Sequence, residues 1–413
     1  MTKRISGKSG NFKIPLLSQN NVDAQDDKEK ANMLATNFEE VSSDANYSVE
    51  FLAHKKEFEI NRSNEFTDNL NDSLPDFPLN DVFSLQELQD AMKSCKSNKS
   101  PGIDNIPYEF LKELPVDMHE VLLDMFNQVW TSRTMPKAWR HALILPLQKP
   151  GKPTSDPKSY RPISLTSCLC KVMEKMVTAR LNWYLESNNL LDPSQAGFRN
   201  RRGTMDQIAK LHDTIEKFNN NRGYTVGIFL DLEKAYDMLW REGLLTKVKR
   251  LGITGNLFAF IRNFITDRTF QVKVGAEFSD TKELINGTPQ GSVISPVLFL
   301  IMINDIKITR PGVQLSLFAD DGSAYKSGSN LNSIIADMQI TLNEILSWTT
   351  NWGLKISTTK SCGVIFTNRV QVEIKKPLQL GTTVLTMEKS VKFLGMFFDL
   401  SLIHISEPTR HLR

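Results

Sequence analysis

The chain has 413 residues, 40% hydrophobic and 23% charged, with a formal net charge of +3, an ordinary globular composition with room for one large lobed domain or two to three smaller ones. The four cysteines, Cys95, Cys168, Cys170 and Cys362, form neither a paired zinc knuckle nor a secreted disulfide framework. The first residues are too polar for a signal peptide, and the longest apolar run, Val297 to Ile303, falls far short of the roughly 18 residues a membrane span needs. A soluble protein of a reducing, intracellular compartment with no membrane partner is therefore expected. Net charge says little about partners, but its distribution is uneven. Residues 133–202 carry 13 Lys/Arg against 4 Asp/Glu, whereas residues 1–100 carry 17 acidic against 12 basic side chains. A basic middle segment suits a polyanion, although a solvated basic face has the same composition.

In chain order, residues 1 to about 75 are rich in Asn, Ser, Asp and Glu and read as a flexible or partly helical lead-in outside any core. A helix is predicted from Phe83, with Ser84 and Glu87 at capping-box spacing, and SNKSPGIDNIP breaks it. Helical periodicity returns from Tyr108 to Val129, and an apolar strand follows from His141 to Leu147. The next stretch, QKPGKPTSDPKSYRP, has four prolines and four basic residues and reads as a loop. An amphipathic helix is predicted from Leu165 to Leu185, closed by Asp192-Pro193. Thr225 to Leu232 reads as a buried strand and Phe270 to Leu284 as a hairpin. Ser295-Pro296 is a helix start, with Ser as cap, for a helix running to about Ile306. Val313 to Tyr325 reads as strand, tight turn, strand around Ala319-Asp320-Asp321-Gly322. A helix from Leu331 to Trp352 and strands at Cys362–Thr367 and Val391–Phe398 complete an α+β core.

Three features within this frame can carry chemistry. Asp231 ends the apolar strand, where a carboxylate is either exposed at a loop or held for a cation. Asp320 and Asp321 sit side by side in a turn, and close like charges are costly unless a cation joins them. Hard oxygen ligands of this kind select Mg²⁺ over zinc. Between these acids, NGTPQGS (residues 286–292) leads into the Ser295-Pro296 helix, and its glycines permit close backbone approach to a ligand. Singly, each is also a common strand end, turn or loop.

Taken together, FLDLEKAYD, NGTPQGSVISP and FADD, in this order, resemble motifs A, B and C of reverse transcriptases. SPGIDNIPYEFL resembles the extra N-terminal motif of the non-LTR retrotransposon and group II intron branch. LPLQKPGKPTSDPKSYRPISLTSCLCKVMEKMV and QAGFRNRRGT resemble that branch's fingers, WGLKISTTKSCGVIF resembles motif D, and VKFLGMFFD resembles motif E. These blocks run from about Phe83 to Asp399 and are most similar to LINE-type, jockey-like elements. The resemblance implies the right-hand polymerase fold, with a lead-in at 1–80, an N-terminal extension and fingers at 81–224, a palm at 225–400 and a non-native-looking tail at 401–413. It implies an RNA-directed DNA polymerase that uses Mg²⁺ to add dNTPs to a DNA primer on an RNA template. It also implies activity in the nucleus and a ribonucleoprotein in the cytoplasm.

Position by position, Asp231, Asp320 and Asp321 are implied as the metal ligands, helped by the Leu232 carbonyl. Tyr236 matches the aromatic gate that rejects a 2′-OH, and Gln290 and Gly291 match the nucleotide pocket. Lys149 and Arg161 match triphosphate contacts, Lys360 a general acid, and Arg199, Arg201 and Arg202 contacts to template phosphates. The endonuclease, thumb and cysteine-rich tail of LINE-type proteins are not read here, so a thumb is expected to be largely missing. SLIHISEPTRHLR departs from the pattern and resembles a translated read-through. An RNA-templated RNA polymerase shares the acids but usually has a polar residue in place of Tyr236. A maturase would share the N-terminal motif, and a non-catalytic RNA-binding remnant would not need all three aspartates.

Overall fold

The computed structural model describes residues 14–68, 78–219, 222–369 and 372–399, the side chains of 62–68 excepted. The tail expected at 401–413 lies outside the described residues. The chain divides into two units that interleave in sequence: residues up to 190 with Tyr236–Leu298, and Leu191–Ala235 with the residues from 299 onward. The units interleave because neighbouring strands of each sheet come from distant parts of the chain.

In the first unit, the sheet order is Tyr160–Leu165, His141–Gln148, Arg268–Val274, Glu277–Phe278, with Lys282–Leu284 also paired to the Arg268 strand. The His141 and Arg268 strands are parallel, and the other ladders are antiparallel. The Tyr160 strand lies partly inside the expected proline-rich loop; Pro162 is accommodated opposite Pro146. The helix Asp27–Val41 packs on this sheet. Asp26 and Glu29 form a capping box at its start, and Ala31, Leu34, Ala35 and Phe38 follow at i, i+3, i+4, i+7. These four join Ile144, Phe270 and Val272 in one core. The lead-in reading of residues 1 to about 75 is thus corrected for this segment, whose polar surroundings masked an amphipathic helix.

The capping box read at Ser84 and Glu87 is present, on the helix Leu85–Lys93. Glu87 also anchors a second helix, since its carboxylate takes a bidentate pair from Arg180 at 2.6 and 2.9 Å. The Arg180 guanidinium also lies over the Phe83 ring at 4.2 Å, so it stitches the helix Cys168–Ser187 to the residues before Ser84. The helix expected from Tyr108 to Val129 is two helices, Tyr108–Lys112 and Val116–Thr131, broken at Pro115.

In the second unit, the sheet order is Met387–Glu388, Cys362–Phe366, Tyr224–Asp231, Asp321–Gly328, Gln314–Phe318. The Tyr224–Asp231 strand is central, antiparallel to both neighbours. The helix Thr204–Asn219 contributes Ile208, Leu211 and Ile215 to a core with Phe229, Tyr325, Val364 and Phe366. Val391 and Phe398 join the same core. They come from a hairpin, Ser390–Phe393 with Met396–Asp399, where one strand was expected. Leu394 and Gly395 turn the chain there with φ 49° and 90°. Among the described residues no helix is long and apolar enough to cross a membrane.

Candidate active site

Strand alternation sets the acidic site in the second unit. Asp231 pairs directly with Asp321 across the antiparallel ladder, and Phe229 with Ser323. Cross-strand partners point to the same side, so the face that buries Phe229 and Tyr325 also carries Asp231 and Asp321 at its end. Asp320 precedes Asp321 in the two-residue turn that joins Phe318 to its partner Asp321, and Ala319, between Phe318 and Asp320, has φ 57°. Asp231 is half-buried, and Asp320 and Asp321 are exposed. Lost hydration, followed by the charges of Asp320 and Asp231, holds the Asp321 carboxyl above its ordinary pKa. Because Asp321 is exposed overall, the repulsion among the acids is the cause that carries weight.

Among the described residues no three acidic, histidine or cysteine side chains converge into a ready-made cage. The donors nevertheless suit a hard cation: carboxylates held directly opposite each other repel unless positive charge lies between them. Lys360 supplies some of that charge, with Nζ 3.0 Å from Asp231 Oδ2 and most of its side chain in solvent. The Leu232 carbonyl is placed by the backbone. Leu232 bridges Ile356, and the flanking bonds run from Ser357 N–H to the Asp231 carbonyl and from Glu233 N–H to the Lys355 carbonyl. The Leu232 carbonyl therefore points away from the Ile356 segment, towards the side of the Asp321 strand.

In the first unit, the 286–292 loop is held from several sides. Gly287, at φ 78°, lies against the chain at Tyr236 and Asp237: its N–H donates to the Leu239 carbonyl, and Thr288 N–H donates to the Tyr236 carbonyl, each at 2.9 Å. The Gln290 amide donates to both Asp237 oxygens at 2.8 and 3.0 Å, and Ser164 N–H donates to the Gln290 carbonyl at 3.0 Å. Asn286 Nδ2 donates to the Ser42 carbonyl and Asp44 Oδ1 at 2.9 and 2.7 Å, which ties the loop to the N-terminal segment. The fully buried Glu174 accepts the N–H groups of Val293 and Ile294 at 2.6 and 3.2 Å. Burial, more than any neighbour, pushes its pKa up.

The helix that follows is Ser295–Ile303. Its cap differs from the expected one: Ser292 Oγ accepts from Ser295 N–H, and Ser295 Oγ donates to the Pro289 carbonyl. A Cβ on Gly287 would lie 2.5 Å from the carbonyl oxygens of both Tyr236 and Asp237, at a positive φ. Gly287→Ala is expected to cost about 1–3 kcal/mol. Gly151→Ala is the control, since Gly151 has a similar φ of 71° but nothing within 4 Å. Thermal melts of both variants check this, and equal losses would remove the close approach as the cause.

The remaining predicted residues are placed as follows. Leu147 pairs with Arg161, and Lys149 directly follows the last strand residue, Gln148. Arg161 is exposed, and Lys149 Nζ donates to the Lys158 carbonyl at 2.7 Å. Tyr236 is half-buried. Gly291, at φ 112°, passes close to the Ser164 carbonyl. Arg199 and Arg202 both brace the turn before them, donating to carbonyls of Asp192 and Gln195, and of Pro193 and Gln195. Arg201 is exposed. Sequence reasoning missed Glu174, Asp237, Asn286 and Gln195. Glu174 was detectable, because it stands at helical spacing from Cys170, Val177 and Leu181 on a buried stripe where a carboxylate needs partners.

Residues 147–398 match the family described as reverse transcriptase (RNA-dependent DNA polymerase), and the chain belongs to that family. It is 32% identical over 348 residues to the probable RNA-directed DNA polymerase from transposon BS of Drosophila melanogaster, covering 82% of this chain and 38% of that protein. It is 29% identical over 381 residues to the RNA-directed DNA polymerase from mobile element jockey of the same species, covering 91% and 40%. The chain thus spans about two-fifths of the length of these relatives. Among solved structures, apo telomerase from Candida tropicalis gives a TM-score of 0.44 at 14% identity, covering 68% of this chain and 59% of that one. The expected LINE-type, jockey-like kinship and the α+β polymerase fold are borne out by the family and these relatives.

Proposed function

We propose that this chain carries the catalytic core of an RNA-directed DNA polymerase that adds dNTPs to a primer 3′-OH on an RNA template. The observation that carries the reading is the register pairing of Asp231 with Asp321, next to Asp320, in a chain of the reverse transcriptase family. In this reading Asp231, Asp320, Asp321 and the Leu232 carbonyl hold Mg²⁺. Bound Mg²⁺ supplies Lewis-acid stabilisation of the attacking and leaving oxygens in phosphoryl transfer.

The chain's own groups do the rest. Tyr236 lies beneath the incoming sugar and excludes a 2′-OH. Asp237 holds Gln290, and with Gly291 these shape the nucleotide pocket. Lys149 and Arg161 bind the triphosphate, Arg by a two-pronged contact and Lys as a point charge. Arg199, Arg201 and Arg202 meet template phosphates, which makes binding salt-sensitive. Residues 81–224 supply the N-terminal extension and fingers, and residues 225–400 the palm. The nucleus is the site of the reaction, and the cytoplasm holds the ribonucleoprotein.

Lys360, whose Nζ lies 3.0 Å from Asp231 Oδ2, is the general acid that protonates the pyrophosphate leaving group. Lys360→Leu is expected to lower kcat about 10²-fold or more with little change in template affinity. Single-turnover extension and template titration check it; an unchanged rate sinks the assignment. The function itself is tested by incorporation on an RNA template with dNTPs against NTPs, with and without EDTA. The reading requires dNTP-selective, EDTA-sensitive extension.

A further inference from the structure

Ala319 stands at φ 57°, a conformation that a residue with a Cβ adopts only when its surroundings hold it there. It immediately precedes Asp320 and Asp321, so whatever holds it also sets where those carboxylates point. Gln195 is 2% exposed, and its Oε1 accepts the Ala319 N–H at 3.2 Å and the Gly197 N–H at 2.7 Å. Two donors on one oxygen fix the amide's orientation, because turning it over would face an NH₂ against two N–H groups. Gln195 Nε2 has no hydrogen-bond partner among the described residues. The side chain thus keeps a buried, unpaired donor in order to present that one oxygen, which is a poor choice for stability alone.

The surrounding backbone makes this a strap rather than a single contact. Ala196 N–H donates to the Leu317 carbonyl at 2.9 Å, and Leu317 N–H donates to the Ser194 carbonyl at 3.0 Å. A Cβ on Gly197 would run into the Ala319 backbone nitrogen, so only glycine allows the approach. Gln207, also 2% exposed, ties the strap to the helix Thr204–Asn219. Its Nε2 donates to the Ser194 carbonyl at 3.1 Å, and its Oε1 accepts the Ser316 hydroxyl at 2.6 Å.

We propose that Gln195 is a positioning residue for the polymerase reaction: its buried side-chain oxygen pins Ala319 in the left-handed conformation that aims Asp320 and Asp321. The proposal rests on the reading of these aspartates as metal ligands. Gln195→Met keeps the volume and removes the acceptor. Ala319→Gly, added to it, lets residue 319 take a positive φ without being held. The probe is Mn²⁺, titrated by electron paramagnetic resonance of the free ion, on the wild-type chain, Asp321→Asn, Gln195→Met and Gln195→Met/Ala319→Gly. The Mg²⁺ midpoint of primer extension is measured on the same set.

Gln195→Met is expected to weaken Mn²⁺ binding roughly tenfold and to raise the Mg²⁺ midpoint in parallel, with the added Ala319→Gly recovering part of both. Should Gln195→Met not fold, Gln195→Asn withdraws the amide by one methylene and carries the same expectation. Wild-type Mn²⁺ affinity in the folded variant, or no recovery in the double variant, overturns the positioning role. Absence of Asp321-dependent Mn²⁺ binding in the wild-type chain overturns the catalytic reading itself, and this proposal with it.

Discussion

Asp321→Asn is expected to lower template-directed dNTP addition by on the order of 10²–10³-fold or more, the scale on which removal of one charge-stabilising group acts in a preorganised site. The same change should leave the metal-free fold slightly more stable, not less. Asp321 lies directly opposite Asp231, with Asp320 beside it, and lost hydration together with these neighbouring charges raises its pKa above the ordinary value. Asparagine keeps the shape and removes one of the repelling charges, which in a cross-strand pair is worth up to about 1 kcal/mol. Asp231→Asn is a less clean variant, because it also ends the ion pair with Lys360. Loss of activity with unchanged or raised thermal stability is the signature of a group kept for chemistry. Activity and stability falling together would instead mark Asp321 as part of the fold.

The second large effect lies far from the acids in sequence. Leu34→Ala is expected to cost about 2–5 kcal/mol, the range for truncating a fully buried leucine. Leu34 is wholly buried on the helix Asp27–Val41, in one core with Ile144, Phe270 and Val272. That helix leads into Ser42 and Asp44, which hold Asn286 at the start of the 286–292 loop. The loss should therefore reach nucleotide affinity as well as stability. Chemical denaturation of the two chains checks the first part; a neutral Leu34→Ala would return this segment to the status of a lead-in.

What could be read without a structure follows from how local each signal is. The strand ending at Asp231, the tight turn at Ala319–Asp320 and the Ser84–Glu87 capping box are short patterns of type and spacing, and each appears where it was expected. The helix Asp27–Val41 was also legible. Asp26 and Glu29 give its start and Ala31, Leu34, Ala35 and Phe38 its stripe, but a polar average over 75 residues hid them. The Tyr160–Leu165 strand was hidden by Pro162, which sits on the ladder opposite another proline, and the Leu394–Gly395 turn by apolar residues on both sides.

The supporting contacts of the site were not legible at all. Gln195 lies more than a hundred residues from Ala319, Glu174 as far from Val293, and Asn286 more than two hundred from Ser42. Such pairs are made by the topology, and no local spacing announces them.

The most direct test is primer extension by this chain on poly(rA)/oligo(dT) with dTTP and Mg²⁺, wild type beside Asp320→Ala. The wild-type chain should extend the primer, Mg²⁺ removal should abolish that extension, and Asp320→Ala should lose it. Equal extension by both chains, or none by either, would contradict a catalytic role for the three aspartates.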